Sequence, residues 1–418
     1  MKFPFNVEII TIGDELLIGQ VIDTNSAWIG QQLNEIGLRV HRINSISDRS
    51  DEILDALKGS ESRSDVVLIT GGLGPTKDDI TKKCLCEYFN CGLTFDQASF
   101  ENVKRIFAAR GKEVTPLNRT QAELPSICEP LLNMLGTAPG MWFDHNGKVF
   151  ISMPGVPYEM KGLMKEHVIP RLQARFKLPP VLHRTILTQG IGESMIADMI
   201  GDWEDELPAE IKLAYLPSPG LVRLRLTASG NDEDLLKNEL NRLSSELTEK
   251  LEEYVFGYDD DTLEELIGTL LRKSGKTLAT AESCTGGYIA HRITSIPGSS
   301  DYFMGSVIAY DNAVKSAVLQ VPNDLLAKHG AVSREVVEAM AVSVKRLLQT
   351  DYAVATSGVA GPGGGTTEKP VGTVHIAIAD PYGVYSHQLR LGDNRDRNIR
   401  ETMLHALNLL RKKLLSGS

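Results

Sequence analysis

The sequence predicts an α/β protein in which two separate three-layer α/β domains are joined by a small α+β connector domain. Three observations support this prediction. The chain has 418 residues, which is more than one ordinary domain holds. Two apolar runs, one before Gly71 and one before Ser283, each lead through a glycine-rich turn into a helix. Between them the pattern changes to strands that alternate apolar and polar residues.

The first domain, residues 1–170, alternates apolar strands with amphipathic helices, so we expect a mainly parallel sheet that is covered on both faces. The predicted strands are 7–12, 38–43, 66–70 and 149–153, and the predicted helices are 25–37 and a helix from about residue 78.

The connector is predicted to span residues 171–257, and Pro179-Pro180 near its start interrupts regular secondary structure. Its predicted strands are 185–188 and 222–227, and its predicted helices are 193–202 and 231–253. The third domain, residues 258–418, is predicted to have strands at 277–282, 307–309, 352–356 and 371–379 and helices at 263–273 and 398–415.

Composition excludes several functional classes. A net charge of −10 and a pI near 5.5 disfavour a broad nucleic-acid surface, so we expect no nucleic-acid partner. No apolar run approaches the length of a membrane span, and the N-terminus has no signal-peptide pattern, so we expect no membrane partner. The odd number of cysteines fits a reducing compartment, and we expect a cytoplasmic protein.

A serine at the end of a predicted strand, Ser283, is a candidate nucleophile. It precedes a Thr-Gly-Gly turn into a helix, a position that exposes a hydroxyl among backbone N–H groups. The same position also suits a serine that only caps the helix. Lys315 could act as the base if burial lowers its pKa, and Tyr310 could orient it. The alternative for Lys315 is an ordinary surface lysine.

Two further segments could bind a phosphorylated ligand. The glycines of the loop 357–365 allow close backbone approach, although such a loop could also be a mobile surface segment. Arg395, Arg397 and Arg400 stand before or at the start of the last helix, where a guanidinium fork would match phosphate geometry. The alternative for these arginines is an exposed basic turn.

Four ordered motifs of the third domain resemble the C-terminal domain of the CinA family. They are residues 281–287, 310–315, 357–366 and 368–373. That domain is similar to PncC-type nicotinamide mononucleotide deamidases, which are held to be Ser/Lys amidohydrolases without a cofactor. The resemblance implies that Ser283 is the nucleophile and Lys315 the base, with Tyr310 assisting. It also places Ser357 in the catalytic group, where a threonine is expected.

The resemblance also implies a set of substrate-binding residues in this domain. They are Thr285, Gly286 and Gly287 of the serine turn, Gly361 and Gly363 of the glycine loop, and either Arg395 or Arg397 for the phosphate. We favour Arg395, because its Asp-x-Arg context matches the family pattern.

Six motifs of the first domain resemble the N-terminal domain of the same family, which is related to molybdopterin-binding MoaB/MogA-type proteins. They are residues 13–19, 23–25, 71–79, 118–121, 136–140 and 154–160. In CinA proteins this domain is associated with metal-dependent hydrolysis of ADP-ribose.

The residues of these motifs fit that association. Gly71, Gly72 and Gly74 could cradle a diphosphate, with Thr76 and Asn25 as further substrate-binding residues. Hard oxygen ligands for Mg²⁺, Mn²⁺ or Co²⁺ would come from four carboxylates. These predicted ligands are Asp14, Asp23, Asp78 and Asp79. Asp78 and Asp79 could instead serve only as first-turn acids of a helix.

For the whole chain, the resemblance implies a homodimeric enzyme of pyridine-nucleotide (NAD) recycling. The third domain would convert nicotinamide mononucleotide to nicotinate mononucleotide and ammonia, and the first would act as an ADP-ribose pyrophosphatase. The alternative is a molybdopterin-binding or nucleotide-sensing protein with little turnover at the N-terminal site.

Overall fold

The computed structural model describes residues 5–76 and 79–416 and divides the chain into two compact units. The first unit contains the chain up to Leu182 together with residues 229–236. The second contains His183–Ala228 and the chain from Lys237 onward. The predicted fold class, two α/β domains with an α+β connector, is confirmed.

The first unit is built on a six-stranded sheet. The strands of the whole unit, including two outside this sheet, are β1 (Asn6–Ile12), β2 (Arg39–Ile46), β3 (Val66–Thr70), β4 (Leu93–Phe95), β5 (Glu123–Pro125), β6 (Glu129–Leu131), β7 (Gly140–His145) and β8 (Lys148–Met153). Its helices are α1 (Asp14–Leu17), α2 (Thr24–Glu35), α3 (Ser50–Arg63), α4 (Thr81–Tyr88), α5 (Gln97–Ala109), α6 (Pro116–Arg119), α7 (Pro157–Leu163) and α8 (Ile169–Phe176). A 3-10 turn, Thr120–Ala122, follows α6, and a π-helical turn, Met164–Val168, joins α7 to α8.

Four of the six strands are parallel, as the alternating pattern predicts. The strand order is β2-β1-β3-β8-β7-β6, and β4 pairs with β5 in a separate ribbon. The pairs β1–β2, β1–β3 and β3–β8 are parallel, whereas β7 runs antiparallel to both β8 and β6. The short turn between β7 and β8 explains the difference, because antiparallel neighbours need no crossover helix.

Both faces of this sheet are covered, as predicted. Along β3, Val66 and Leu68 belong to one buried cluster, whereas Val67 and Ile69 belong to another. Since successive side chains of a strand point to opposite faces, one cluster lies on each side of the sheet.

The parallel register places three loops of the first unit side by side. Thr70 at the end of β3 is opposite both Thr11 of β1 and Met153 of β8. The Gly71 N–H donates to the Met153 carbonyl at 3.1 Å. Gly71 has a φ of +109°, and a Cβ there would lie 2.2 Å from the Ile12 carbonyl oxygen, so only glycine fits.

The second unit joins the connector to the C-terminal domain. Its strands are β9 (Val181–Gln189), β10 (Ile211–Ser218), β11 (Leu221–Ser229), β12 (Val255–Tyr258), β13 (Leu278–Glu282), β14 (Phe303–Ile308), β15 (Tyr352–Gly358), β16 (Thr373–Ala379) and β17 (Val384–Arg390). Its helices are α9 (Glu193–Asp205), α10 (Glu233–Lys250), α11 (Leu263–Ser274), α12 (Tyr288–Thr294), α13 (Asn312–Ala317), α14 (Asn323–His329), α15 (Arg334–Leu347) and α16 (Arg395–Ser416), with a 3-10 turn at Ser299–Asp301.

Two sheets organise this unit. The connector strands follow the order β10-β11-β9-β12, and the C-terminal strands follow the order β14-β13-β15-β16-β17. Strands β14, β13 and β15 are parallel, and Glu282 at the end of β13 is opposite Ile308 and Thr356. Strands β16 and β17 continue the sheet in antiparallel order. The three parallel strands therefore end together, at the edge that carries the serine turn.

Connector side chains contribute to the C-terminal core. Leu187 of β9 and Phe256 of β12 belong to the same buried cluster as Leu263 and Leu404. A buried hydrogen bond of 2.6 Å from Asn408 Nδ2 to Gln189 Oε1 also joins α16 to the connector. The connector is thus packed onto this domain by apolar and polar contacts.

Several element boundaries differ from the sequence prediction, and three of them lie next to the candidate sites or at a sheet edge. Strand β14 begins at Phe303 rather than 307, because it is an edge strand whose exposed face, including Met304, breaks the apolar run. Helix α16 begins at Arg395 rather than 398, because the Asn394 side chain accepts a hydrogen bond from the Arg397 N–H and caps the helix. Helix α4 begins at Thr81 rather than near 78.

No helix within residues 5–76 and 79–416 is both long and apolar enough to cross a membrane.

Candidate active sites

The structure brings Ser283 and Lys315 together at the ends of the parallel C-terminal strands. Ser283 follows β13, and Lys315 lies in α13, which follows β14. Lys315 Nζ donates to Ser283 Oγ at 3.2 Å, and to the carbonyls of Ala309 and Tyr310 at 2.8 and 3.0 Å. The Lys315 side chain is 1% exposed, so the alternative of an ordinary surface lysine is wrong.

This environment favours a neutral Lys315 amine. Burial lowers the pKa of Lys315 from 10.5, although the nearby Asp311 and Cys284 oppose the shift. A neutral amine has two N–H groups and one lone pair. The carbonyls of Ala309 and Tyr310 can accept the two N–H groups, which leaves the lone pair for the hydroxyl proton of Ser283. The arrangement is therefore suited to proton abstraction from Ser283.

A buried carboxylate beside the nucleophile, Glu282, was missed in the sequence analysis. Its oxygens accept hydrogen bonds from the Thr285 hydroxyl at 2.7 Å and from the N–H groups of Gly287, Ile289 and Ala290 at 3.0, 3.1 and 2.8 Å. The signal that could have revealed it is an acidic residue inside an otherwise apolar strand, where a carboxylate needs several donors.

The serine turn therefore has few free donors. The N–H of Gly287 is bound to Glu282, and the N–H of Gly286 donates to the Ser283 carbonyl at 3.1 Å. The Thr285 hydroxyl is shared between Glu282 and Thr356. Among the described residues, the N–H groups of Cys284 and Thr285 make no hydrogen bond to another residue. These two groups, rather than those of the glycines, are the donors that remain next to Ser283.

Tyr310 is directed toward Arg395 rather than toward Lys315. Its side chain is 59% exposed, and its hydroxyl accepts a hydrogen bond of 2.9 Å from Arg395 Nη2. Arg395 Nη1 donates to the Gly361 carbonyl, also at 2.9 Å. Arg397 Nε instead pairs with Glu401 at 2.7 Å. Of the two arginines, only Arg395 contacts Tyr310 and the glycine loop.

The remaining predicted residues of this domain are more peripheral to the Ser283–Lys315 pair. The buried Ser357 hydroxyl donates to the Ala331 carbonyl at 2.7 Å, and no hydrogen bond joins it to Ser283 or Lys315 within the described chain. Gly363 lies in an open part of the loop, where a Cβ would meet no described atom within 4 Å.

The three loops of the first unit line a cavity of about 420 Å³. It contains the predicted Gly71, Gly72, Gly74 and Asp79. Five further polar side chains that the sequence analysis did not assign also line it: Glu15, Asp48, Gln121, Thr137 and Glu159. The predicted Asp78 lies outside the described residues.

The other predicted metal-binding and substrate-binding residues of this domain form hydrogen bonds within the chain. Asp23 caps α2 by accepting hydrogen bonds from the Ser26 N–H and hydroxyl, and Asp14 donates its N–H to Asp48 Oδ2 at 3.1 Å. Thr76 donates to Asp79 through both its N–H and its hydroxyl. Asn25 Nδ2 donates to the Gly155 carbonyl at 2.7 Å and lines, with Asp23, a smaller cavity of about 110 Å³.

The N-terminal cavity is strongly acidic. Its described lining has four carboxylates and no lysine or arginine. Burial raises the pKa of Asp48, and the neighbouring charges of Glu15, Asp14 and Asp79 raise it further. Within the described ranges, no three His, Cys, Asp or Glu side chains already form a metal-binding cluster. The lining is rich in hard oxygen donors that suit a divalent cation, and an anionic diphosphate would be repelled without one.

An unpartnered acceptor also lines this cavity. Gln121 is 2% exposed, and its Oε1 has no hydrogen-bond partner among the described residues. A buried amide oxygen without a donor is costly, so a ligand that supplies an N–H or O–H group would relieve it.

The chain matches three protein-family models along its length. They are described as "Probable molybdopterin binding domain" over residues 8–174, "Damage-inducible protein CinA KH domain" over residues 183–257 and "CinA C-terminal domain" over residues 260–414.

Two full-length relatives support membership of the same family. A "CinA-like protein" of Cytophaga hutchinsonii is 50% identical over 414 residues, which is 99% of each chain. A second, from Flavobacterium psychrophilum, is 49% identical over 411 residues, which is 98% of each chain. A crystal structure titled as competence/damage inducible protein CihA from Agrobacterium tumefaciens is 40% identical and covers 36% of this chain and 94% of its own, with a TM-score of 0.35.

The buried lysine predicts a specific dependence of stability on pH. Because burial lowers the pKa of Lys315 in the folded state, the unfolded chain binds this proton more tightly. The resulting penalty is present in full below the folded-state pKa and disappears as the pH rises toward 10.5. As the pH rises toward 10.5, the free energy of unfolding of Lys315→Met should therefore increase less than that of the wild type. The difference is about 1.4 kcal/mol for each pH unit by which folding lowers the pKa of Lys315.

Urea unfolding at several pH values measures this slope directly. Lys328→Met, a variant of an exposed lysine in α14, is the control and should keep the wild-type slope. Equal slopes in the wild type and Lys315→Met would show that Lys315 is charged when folded.

Proposed function

Because this chain belongs to the CinA family, we propose that its C-terminal domain hydrolyses nicotinamide mononucleotide to nicotinate mononucleotide and ammonia. The observation that carries the proposal is the buried Lys315 amine, 3.2 Å from the Ser283 hydroxyl. A protein that only bound nucleotides, without turnover, would not need a buried amine next to a serine hydroxyl at the end of a strand.

In the proposed first step, Ser283 Oγ attacks the carboxamide carbon while Lys315 Nζ accepts the hydroxyl proton. The carbonyl oxygen gains negative charge, and the free N–H groups of Cys284 and Thr285 are the donors that would stabilise it. The tetrahedral species collapses as the C–N bond breaks. Lys315 returns the proton to the leaving nitrogen, which departs as ammonia and leaves an ester on Ser283.

In the second step, water attacks this ester and gives its proton to Lys315. The C–Oγ bond then breaks, Ser283 recovers a proton from Lys315, and nicotinate mononucleotide is released. Every proton is moved by one amine, so this half of the proposal needs no cofactor. Arg395, held by Tyr310 and Gly361, would bind the 5′-phosphate. Ser357 would help to hold the start of the glycine loop 357–365 in place through its hydrogen bond to the Ala331 carbonyl.

For the N-terminal domain we propose metal-dependent hydrolysis of the diphosphate of ADP-ribose. The supporting observation is a cavity that combines a glycine loop with four carboxylates. Glu15, Asp48 and Asp79 are the described residues that would hold a cation such as Mg²⁺, Mn²⁺ or Co²⁺, with Asp14 beside them. They do not form a metal-binding cluster as they stand, so their side chains would have to move together around the ion. A divalent cation, when bound, would neutralise the diphosphate and polarise its phosphorus–oxygen bonds.

In the same cavity, Gly71 and Gly72 permit close approach of the ligand to the backbone, and Gln121 Oε1 can accept a hydrogen bond from a ligand hydroxyl. The alternative for this domain is a molybdopterin-binding or nucleotide-sensing site with little turnover. We further propose a cytoplasmic homodimer that acts in pyridine-nucleotide recycling.

The central experiment is an ammonia-release assay with nicotinamide mononucleotide. Ser283→Ala and Lys315→Ala should each lower kcat by about 1,000-fold or more, and the double variant should be no worse than either, because the two groups act as one unit. Near-normal turnover in Ser283→Ala would contradict the covalent mechanism and favour direct attack by water.

A pair of arginine variants tests the phosphate site. Arg395→Ala should raise KM by about 10-fold to 100-fold, since it removes a charge-assisted contact to the phosphate, with a smaller effect on kcat. Arg397→Ala should change KM by less than about 2-fold, because Glu401 already binds that guanidinium. The reverse order would transfer the phosphate site to Arg397.

Metal removal tests whether the two sites use separate chemistry. EDTA should abolish hydrolysis of ADP-ribose, because the acidic cavity repels a diphosphate without a cation, and should leave deamidation largely intact. Equal loss of both activities would contradict two independent sites, and co-purified fluorescent pterin would favour the molybdopterin alternative.

A further inference from the structure

The Glu282 carboxylate is unusual in being fully buried without an ion-pair partner among the described residues. It is 0% exposed, and its donors are two hydroxyls and three backbone N–H groups. A desolvated carboxylate is stable only when several donors surround it, and here they come from the serine turn and the first turn of α12. The carboxylate therefore ties the end of β13 to the segment that follows Ser283.

These contacts decide which donors remain at the nucleophile. Glu282 accepts hydrogen bonds from the N–H groups of Gly287, Ile289 and Ala290, so these donors at the start of α12 are already used by an internal anion. The Ser283 N–H is bound to the Thr356 carbonyl at 3.0 Å. What remains beside Ser283 Oγ, within the described chain, is the pair of N–H groups of Cys284 and Thr285.

We infer that Glu282 is a positioning residue for Ser283. It holds the turn in the conformation in which Ser283 Oγ meets Lys315 and the N–H groups of Cys284 and Thr285 make no hydrogen bond to another described residue. The inference rests on the proposed deamidase function, and it names the side chain that preorganises the oxyanion donors of that reaction.

Glu282 has a second consequence at the neighbouring thiol. Burial raises the pKa of Cys284 to about 12, and the charge of Glu282 adds to the effect. A protonated thiol is a poor nucleophile, so Cys284 does not compete with Ser283 although it is adjacent in the chain. The carboxylate thus favours the serine over the cysteine as the reacting group.

The substitution Glu282→Gln tests the inference in the full-length protein. One carboxylate oxygen faces Thr285, Gly287 and Ile289, and the other faces Ala290. A glutamine has only one acceptor oxygen, so its NH₂ group must face one of these donors and the turn must rearrange. We expect kcat for nicotinamide mononucleotide to fall by about 10-fold to 100-fold while KM changes by less than about 3-fold.

Glu264→Gln is the matched control. Glu264 is also buried, at 3% exposed, and also contacts α12, but through a 2.6 Å ion pair with the Arg292 side chain. The Glu264→Gln substitution also removes one buried negative charge, but it leaves the hydrogen bonds of the serine turn unchanged. It should lower the melting temperature and leave kcat within about 2-fold of the wild type.

A second readout separates this inference from the identity of the substrate. A fluorophosphonate ester reacts with an activated serine whether or not nicotinamide mononucleotide is the substrate, so the rate of Ser283 labelling reports on the turn alone. Labelling of wild type without deamidation would overturn the proposed substrate, and slower labelling of Glu282→Gln would still support Glu282 as a positioning residue. Wild-type labelling and kcat in folded Glu282→Gln would overturn the inference.

A milder variant covers the case in which Glu282→Gln does not fold. Thr285→Val keeps the shape of the side chain and removes one donor of Glu282, the hydroxyl at 2.7 Å. It should slow both labelling and turnover by a few fold. Unchanged rates in this variant would overturn the inference by themselves.

Discussion

The C-terminal site depends on the burial of one amine at the ends of β13 and β14. Lys315 can be buried only because two carbonyls and one hydroxyl surround its nitrogen, and those acceptors are supplied by the ends of parallel strands that share one register. The desolvation that makes this amine costly to charge also makes it a base. The strand register, the serine turn and the placement of α13 therefore all contribute to the burial of this one amine.

The two candidate sites share the same strand arrangement but differ in how their polar groups are paired. In both, parallel strands end side by side and a glycine-rich turn follows the central strand. In the C-terminal site the polar groups are satisfied within the chain, since the Glu282 carboxylate and the Lys315 amine both have hydrogen-bond partners there. The N-terminal cavity instead leaves several carboxylates facing one another and the Gln121 oxygen without a donor. The buried polar groups of one site are thus paired within the chain, whereas the other site has carboxylates and an amide oxygen that lack such partners.

The last helix links this chemistry to the connector. Arg395 and its cap residue Asn394 begin α16 beside the glycine loop, and Asn408 further along the same helix bonds to Gln189 of the connector. Leu187 and Phe256 of the connector share the buried cluster that includes Leu404 of α16. The connector is therefore in direct contact with the helix that carries the proposed phosphate-binding arginine.

The sequence by itself determined the fold class and most of the elements, because burial imposes a periodicity that apolar residues record locally. The strand 66–70 coincides with β3, and both glycine turns stand where parallel strands end. The order of motifs along the chain also singled out Ser283, Lys315 and Arg395, which the structure brings to one edge of a sheet. Edge elements were less well predicted, since β14 buries only part of its surface.

Only the tertiary structure decided how the polar groups are shared. No local pattern shows that Glu282 takes the N–H groups of α12, that Tyr310 faces Arg395, or that Arg397 is paired with Glu401. Asp48 and Glu159 likewise reach the N-terminal cavity from segments distant in the chain. Hydrogen bonds and charge interactions depend on distances of a few ångströms between segments, and such distances are set by packing and strand register rather than by the neighbouring residues in the sequence.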